Sequence, residues 1–161
     1  MKNKILLLSF LVLLFNEVSA QKEYNTAIGL RLNGGAGLTV KHFMDEKTSL
    51  EGLLYTRWHG INICGLYQLN FKVIPQEPGF NFYMGAGAHI GVWDRRYGPW
   101  WDKDERGSEV VIGIDGQLGL EYTFQEIPLN LSLDWKPAFN IIGHTNFWAD
   151  DFALSVRYAI K

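Results

Sequence analysis

From Tyr24 to Ile160 the chain alternates apolar and polar or small residues with a period of two, and no stretch after the first twenty residues keeps an apolar period of 3.6. Successive side chains of a β-strand point to opposite faces, so this pattern predicts strands along the whole of that length. Eight can be placed. They run Tyr24 to Asn33, Ala36 to Met44, Leu50 to Arg57, Ile61 to Phe71 and Phe80 to Trp93, then a sixth centred on Val110 to Phe124, a seventh from Leu129 to Phe139, and an eighth from Phe152 to Ile160. On the first, Tyr24, Thr26, Ile28, Leu30 and Leu32 share one face. On the sixth, Val110, Ile112, Ile114, Leu118, Leu120, Tyr122 and Phe124 oppose Val111, Gly113, Asp115, Gln117, Gly119, Glu121 and Thr123. Gly34-Gly35 supplies a tight reversal, since glycine reaches positive φ without a Cβ clash.

Before this region stand Met-Lys-Asn-Lys, an apolar run from Ile5 to Phe15 and the small-residue string Val18-Ser19-Ala20. That order of basic, apolar and small residues is the pattern of a cleaved export signal, and the run is shorter than the ~20 residues a membrane-spanning helix needs. Residues 1–20 are therefore expected to be a signal peptide and residues 21–161 the mature domain. Gln21 occupies the position where a lipoprotein anchor requires cysteine, which argues against such an anchor. The full chain carries a formal charge of −2, and losing Lys2, Lys4 and Glu17 keeps a small acidic excess, so no basic surface for nucleic acid is indicated. Cys64 is the only cysteine, so no intrachain disulfide contributes to stability.

Eight strands with one apolar face each fit two opposite barrels: a soluble carrier of the lipocalin type with the apolar face inside, or a membrane barrel with it outside. The interior of an eight-stranded barrel is only just wide enough for side chains to fill. Leu, Ile, Phe, Tyr and Trp on nearly every strand exceed that space, whereas the other face is rich in Gly, Ala, Ser and Asn. The bulky face is therefore assigned outward. The inward face then carries Arg31, Lys41, Glu51, Arg57, Asp115, Glu121, Asp134, Lys136 and Arg157, a near-balanced set expected to pair across the lumen. The fold class expected is all-β, an eight-stranded antiparallel up-and-down transmembrane β-barrel. Long connections at Asp94 to Glu109 and Ile142 to Asp151 would lie outside the cell, and short ones at Asp45 to Ser49, Lys72 to Gly79 and Gln125 to Pro128 on the periplasmic side.

The strings AIGLRLNGGAGLTVKHF, LEGLLYTRW, GLYQLNF, FYMGAGAHIGVWD, IGIDGQLGLEYTF, IPLNLSLDWKPAFN and LSVRYAI resemble the short, porin-like outer-membrane β-barrel proteins of Bacteroidota, similar in architecture to the OmpA/OmpX-type eight-stranded barrel. The resemblance implies export, insertion by the barrel-assembly machinery, residence in the outer membrane of a Gram-negative cell, and contact with its lipid and lipopolysaccharide. It implies little about activity, because one fold serves several tasks.

Candidate chemistry is sparse. Acyl transfer on lipid A would need a nucleophile and a base on one strand face, but in Gly143-His144-Thr145-Asn146 the adjacent His144 and Thr145 alternate faces in a strand. His89 falls on the inward face near Asp115, and Cys64 is inward by phase. His42 and His59 are isolated, and Asp102, Asp104 and Glu105 lack a calcium-loop spacing, so no metal or cofactor is expected. The strongest recognition feature is an aromatic and arginine cluster, Trp93, Arg95, Arg96, Tyr97, Trp100 and Trp101, joined by Trp148. It reads either as a patch for an external glycan or protein or as an interfacial aromatic belt. The function expected is a barrel with a side-chain-plugged lumen that anchors external loops, with a narrow solute pore and a lipid A-modifying acyl transferase or hydrolase as alternatives.

Overall fold

The computed structural model describes residues 24–57, 59–94, 107–143 and 146–160. The expected signal peptide, residues 1–20, lies outside them. The described residues contain no helix, and their strands are β1 (Thr26–Leu32), β2 (Ala36–Phe43), β3 (Thr48–Arg57), β4 (Gly60–Lys72), β5 (Phe80–Asp94), β6 (Ser108–Thr123), β7 (Leu129–Trp135), β8 (Ala138–Ile142), β9 (Phe147–Trp148) and β10 (Phe152–Ile160). Each of β1 to β6 pairs antiparallel with its sequence neighbour, and β1 also pairs with β10, so the sheet closes on itself. Both β7 and β8 lie along β6, and both β9 and β10 lie along that composite strand. The ten segments are thus eight staves of a closed antiparallel barrel.

The seventh stave, expected as one strand, is interrupted at Lys136-Pro137 because proline has no N–H for the ladder. The interruption costs little pairing. Gly116 N donates to Pro137 O at 2.9 Å and Lys136 N donates to Asp151 O at 2.8 Å across the gap. Toward the same end, the β1–β2 reversal is made by Gly34 with φ 79°, a conformation that L residues rarely adopt.

The register fixes the shape. Stepping directly across the sheet from Thr26 leads through His42, Leu50, Tyr67 and Ala86 to Gly116. Carrying the remaining registers through to closure returns the circuit to the first hairpin about ten residues further along the chain. With strands ~4.8 Å apart and ~3.4 Å of rise per residue, such a stagger over eight staves tilts them by roughly 40°. A tilted stave of about ten residues then stands roughly 25 Å tall.

Side-chain phase follows the sequence alternation. Ile28, Leu30, Leu38, Val40, Leu54, Ile63, Ile90, Ile112, Ile114, Leu120, Leu133, Leu154 and Val156 are exposed on the outer wall. One placement is corrected. Tyr24 does not share the outer face of β1 but turns inward and is 2% exposed, because a bend at Asn25 inserts an extra residue into the alternation before Ala27. Its ring meets Phe43 edge-on at 5.0 Å, and with Ala27 and Ala159 the pair floors the barrel at the end opposite the β1–β2 reversal.

The wall tolerates bulk on one side only. A Cβ on inward Gly119 would fall 2.4 Å from Tyr83 Cζ, whereas Gly52 and Gly65, directly opposite each other and facing out, have open space. Gly119→Leu is expected to abolish the compact, unheated gel mobility of the folded barrel, and Gly52→Ala to leave it unchanged. Electrophoresis of unheated against boiled protein in detergent measures both.

Candidate functional site

The inward face is filled by paired charges. Eight of the nine residues read as lumen charges are 4% exposed or less: Arg31, Lys41, Glu51, Asp115, Glu121, Asp134, Lys136 and Arg157. The ninth, Arg57, sits at the rim with its side chain 11% exposed and pairs at 3.0 Å with Asp150. Burial of a charge is tolerated only where counter-charge and hydrogen bonds replace water, and each pair here does so by crossing between staves.

Two groups of pairs divide the lumen. In the first, Arg157 donates to Glu51, to Thr39 at 3.0 Å, to Asn130 at 3.1 Å and to Ser132 at 2.8 Å. Glu51 also accepts from Thr39 and Gln68, both at 2.6 Å, and from Gln117 at 3.2 Å. Nearby, Lys41 donates to Glu121 at 2.9 Å and Asn70 at 2.8 Å and lies 4.3 Å from the Tyr83 ring centroid, a cation–π contact. Tyr24 donates to Glu121 at 3.2 Å. This group occupies the half of the lumen nearer the Tyr24–Phe43 floor.

The second group lies toward the opposite mouth. Arg31 donates to Asp134 at 2.6 Å, and Lys136 to Asp115 at 2.8 Å and Tyr55 at 3.3 Å, with Asp151 3.2 Å from Lys136. His89 has Nδ1 2.8 Å from Asp115 and Nε2 2.9 Å from Asn140. Both ring nitrogens are therefore engaged. Cys64 Sγ donates to Asp115 at 3.5 Å and packs with Leu53, Tyr55 and Leu66, an apolar cluster inside an otherwise polar lumen.

At the mouth a half-open recess of about 30 Å³ lies among Arg57, Asn62, His89, Trp93, Asn140 and Trp148. Trp93 is 7% exposed and points inward, so it belongs neither to an exposed patch nor to a belt on the outer wall. It stacks on Trp148 with ring centroids 6.1 Å apart and planes at 21°, and Arg57 lies 5.9 Å from the Trp148 ring. The other members of the aromatic and arginine cluster, Arg95, Arg96, Tyr97, Trp100 and Trp101, lie outside the described residues, as do His144, Thr145, Asp102, Asp104 and Glu105. Among the described residues no three His, Cys, Asp or Glu side chains are grouped to hold a metal ion.

Sequence reasoning set Gln117 on the inward face with the charges but did not single out Thr39, Gln68, Asn70, Gln117, Asn130 and Ser132, all on an inward phase, as their neutral partners. It placed Asp151 in an external loop, whereas Asp151 is 3% exposed and lies 3.0 Å from the Asn33 amide. Asp151 continues the inward phase of β10 by one step, with its carbonyl accepting from Lys136 N at 2.8 Å.

The fold and this lumen define a closed, eight-stranded antiparallel barrel with a charge-paired interior. No family model, curated protein or solved structure matches the chain.

Removing one member of the central pair strands the other. Arg157→Met is expected to destabilise the barrel by about 3–5 kcal/mol, and adding Glu51→Gln to recover part of that loss. Denaturant unfolding of the folded barrel, followed by tryptophan fluorescence, reads the difference.

Proposed function

We propose that the chain is a small outer-membrane barrel protein that spans the bilayer with its eight staves, keeps its lumen closed by side chains, and holds the mouth with the recess toward the exterior for a structural or surface-interaction role. The observation that carries this reading is the outer wall. On every stave the outward side chains are apolar, small or polar without a carboxylate, ammonium or guanidinium, His42 among them, and among the described strand residues the exception is Asp94, the last residue of β5. In water such a continuous apolar girdle would far exceed the few hundred Å² that soluble monomers expose. In hydrocarbon it is the matching surface, and a closed sheet leaves no unpaired backbone edge.

Dimensions and composition support the same reading. Staves roughly 25 Å tall match the apolar band of outer-membrane barrels. Aromatic side chains gather toward both ends of the wall, with Phe71 6.3 Å from Phe82 and Tyr122 edge-on to Phe124 at 4.9 Å near the floor, and Trp135 stacked 6.3 Å from Phe152 toward the mouth. Rings at these levels suit the headgroup regions. The expected export signal at residues 1–20 and insertion by the barrel-assembly machinery belong to this proposal, as does contact with lipopolysaccharide.

The ion pairs between staves favour a plug over a pore. Arg157, Glu51, Gln68 and Gln117 meet near the middle of the lumen, and Tyr24 and Phe43 close the floor below them. The purified protein is expected to give no steady conductance in a planar bilayer.

Leu118→Arg places a cation on the wall, at a cost of about 2–4 kcal/mol near mid-bilayer. It is expected to deplete the protein from the outer-membrane fraction, with Glu126→Arg, on an exposed turn at the floor end, depleting it less. Cell fractionation with immunoblotting decides it, and equal loss for both variants, or wild-type protein in the soluble fraction, would overturn the reading.

A further inference from the structure

Buried polar atoms without partners are unevenly distributed. Among the described residues they are Arg31 Nε and Nη2, Asn33 Oδ1, Asn62 Nδ2, Asp134 Oδ1 and Ser155 Oγ. Most lie on the mouth side of the lumen, and Ser155 stands at mid-height directly across from Ser132. On the floor side, Lys41, Glu51, Gln68, Asn70, Glu121 and Asn130 are bonded to one another or to their neighbours. A buried donor or acceptor without a partner is costly, so such atoms in a native structure mark where water or a ligand sits. The barrel is therefore a cup, dry at the base and polar-unsatisfied near its opening.

Asn62 makes the recess specific. It is 2% exposed, and its carboxamide oxygen lies where Gly91 leaves space, since a Cβ on Gly91 would fall 2.2 Å from Oδ1. Asn62 lines the recess, and its Nδ2 is buried with no hydrogen-bond partner. One wall is the Trp93–Trp148 stack. The charges around it are already compensated, Arg57 by Asp150, Lys136 by Asp115 and Asp151, and His89 by Asp115 with Asn140 on its other ring nitrogen. An ion entering would find its counter-charge taken. A neutral group that both donates and accepts hydrogen bonds fits better, and the volume of about 30 Å³ admits roughly two water-sized groups, such as a hydroxymethyl arm.

We propose that this recess binds the hydroxyl-bearing end of a carbohydrate, with Asn62 Nδ2 donating to a sugar oxygen against the Trp93–Trp148 wall. The proposal rests on the reading that the mouth faces the cell exterior, where saccharides are available either free or as the glycan of the membrane's own glycolipid. Aromatic side chains suit the apolar faces of sugar rings, and burying the amide against hydroxyls satisfies the atom that the protein leaves open.

The test uses the whole folded barrel in a sugar-free amine-oxide detergent, with NMR observation of the Asn62 side-chain amide and the tryptophan indoles. Probes are methyl glycosides of glucose, galactose, mannose and N-acetylglucosamine, delipidated lipopolysaccharide oligosaccharide, and inorganic phosphate. At least one saccharide is expected to shift the Asn62 amide saturably, and Asn62→Asp, close in shape but lacking the donor, to weaken binding about tenfold, which is the value of one good hydrogen bond. Response to the simple glycosides assigns a free saccharide, and response to the oligosaccharide alone assigns the glycolipid. The proposal is overturned if no saccharide shifts the amide up to its solubility limit, if phosphate alone does, or if Asn62→Asp binds as tightly while retaining the unheated gel mobility. Asn62→Leu, scored by the same mobility, provides a second variant without the amide. Because binding is read on purified protein, its failure leaves the fractionation result standing, and a soluble location would leave the binding result standing.

Discussion

Charge inside a closed wall is the constraint on which the rest of this barrel depends. Arg157 and Glu51 are each almost wholly buried and come from staves far apart in sequence, so neither is compensated until the sheet has curled far enough to bring them together. The same holds for Arg31 with Asp134 and Lys41 with Glu121. Each carboxylate finds its cation only at one register, since a shift of a single residue would turn the whole strand and carry the charge to the outer wall. Ion pairs of this kind are weak evidence for stability but good evidence for a specified arrangement. Here they specify register, closure and lumen content together.

The two halves of the lumen differ in kind. Toward the floor, amides and hydroxyls from Gln68, Gln117, Asn130 and Ser132 surround the central pair and leave nothing open. Toward the mouth, Lys136 and Asp115 are shared among Tyr55, His89 and Asp151, and the side chains around them retain open donors and acceptors. The two ends of the lumen therefore differ in how completely their polar groups are satisfied. The aromatic pair of Trp93 on β5 and Trp148 on β9 meets at that opening.

Much of this architecture was legible from alternation alone, because a period of two assigns every residue of a strand to one face once a single residue is placed. The inward charges and the outward Leu, Ile and Val followed from that rule and from the limited volume of an eight-stranded interior. It failed where the backbone departs from regular pleating. Tyr24 changes face across the bend at Asn25, and Pro137 divides a stave whose side-chain phase nevertheless continues. The inward Leu53, Cys64 and Leu66 opposite outward Gly52 and Gly65 invert the usual distribution of bulk on β3 and β4. Volume reasoning, applied to the barrel as a whole, does not reveal such a local exchange. Asp151 was missed because the last strand was begun at Phe152, although Asp151 continues the inward phase of Ala153, Ser155 and Arg157.

The closing ladder joins Thr26–Leu32 to Phe152–Ile160, the first strand to the last. Until that final segment has emerged and docked, the curled sheet presents two free edges, and edges are where other chains attach. Local hairpins can form early, but the seam must wait for contacts of the greatest sequence separation, which slows completion. The molecule thus passes through a stage in which it is nearly finished and most adhesive, and a chaperone holding the emerging chain would protect it best by shielding the rim of β1.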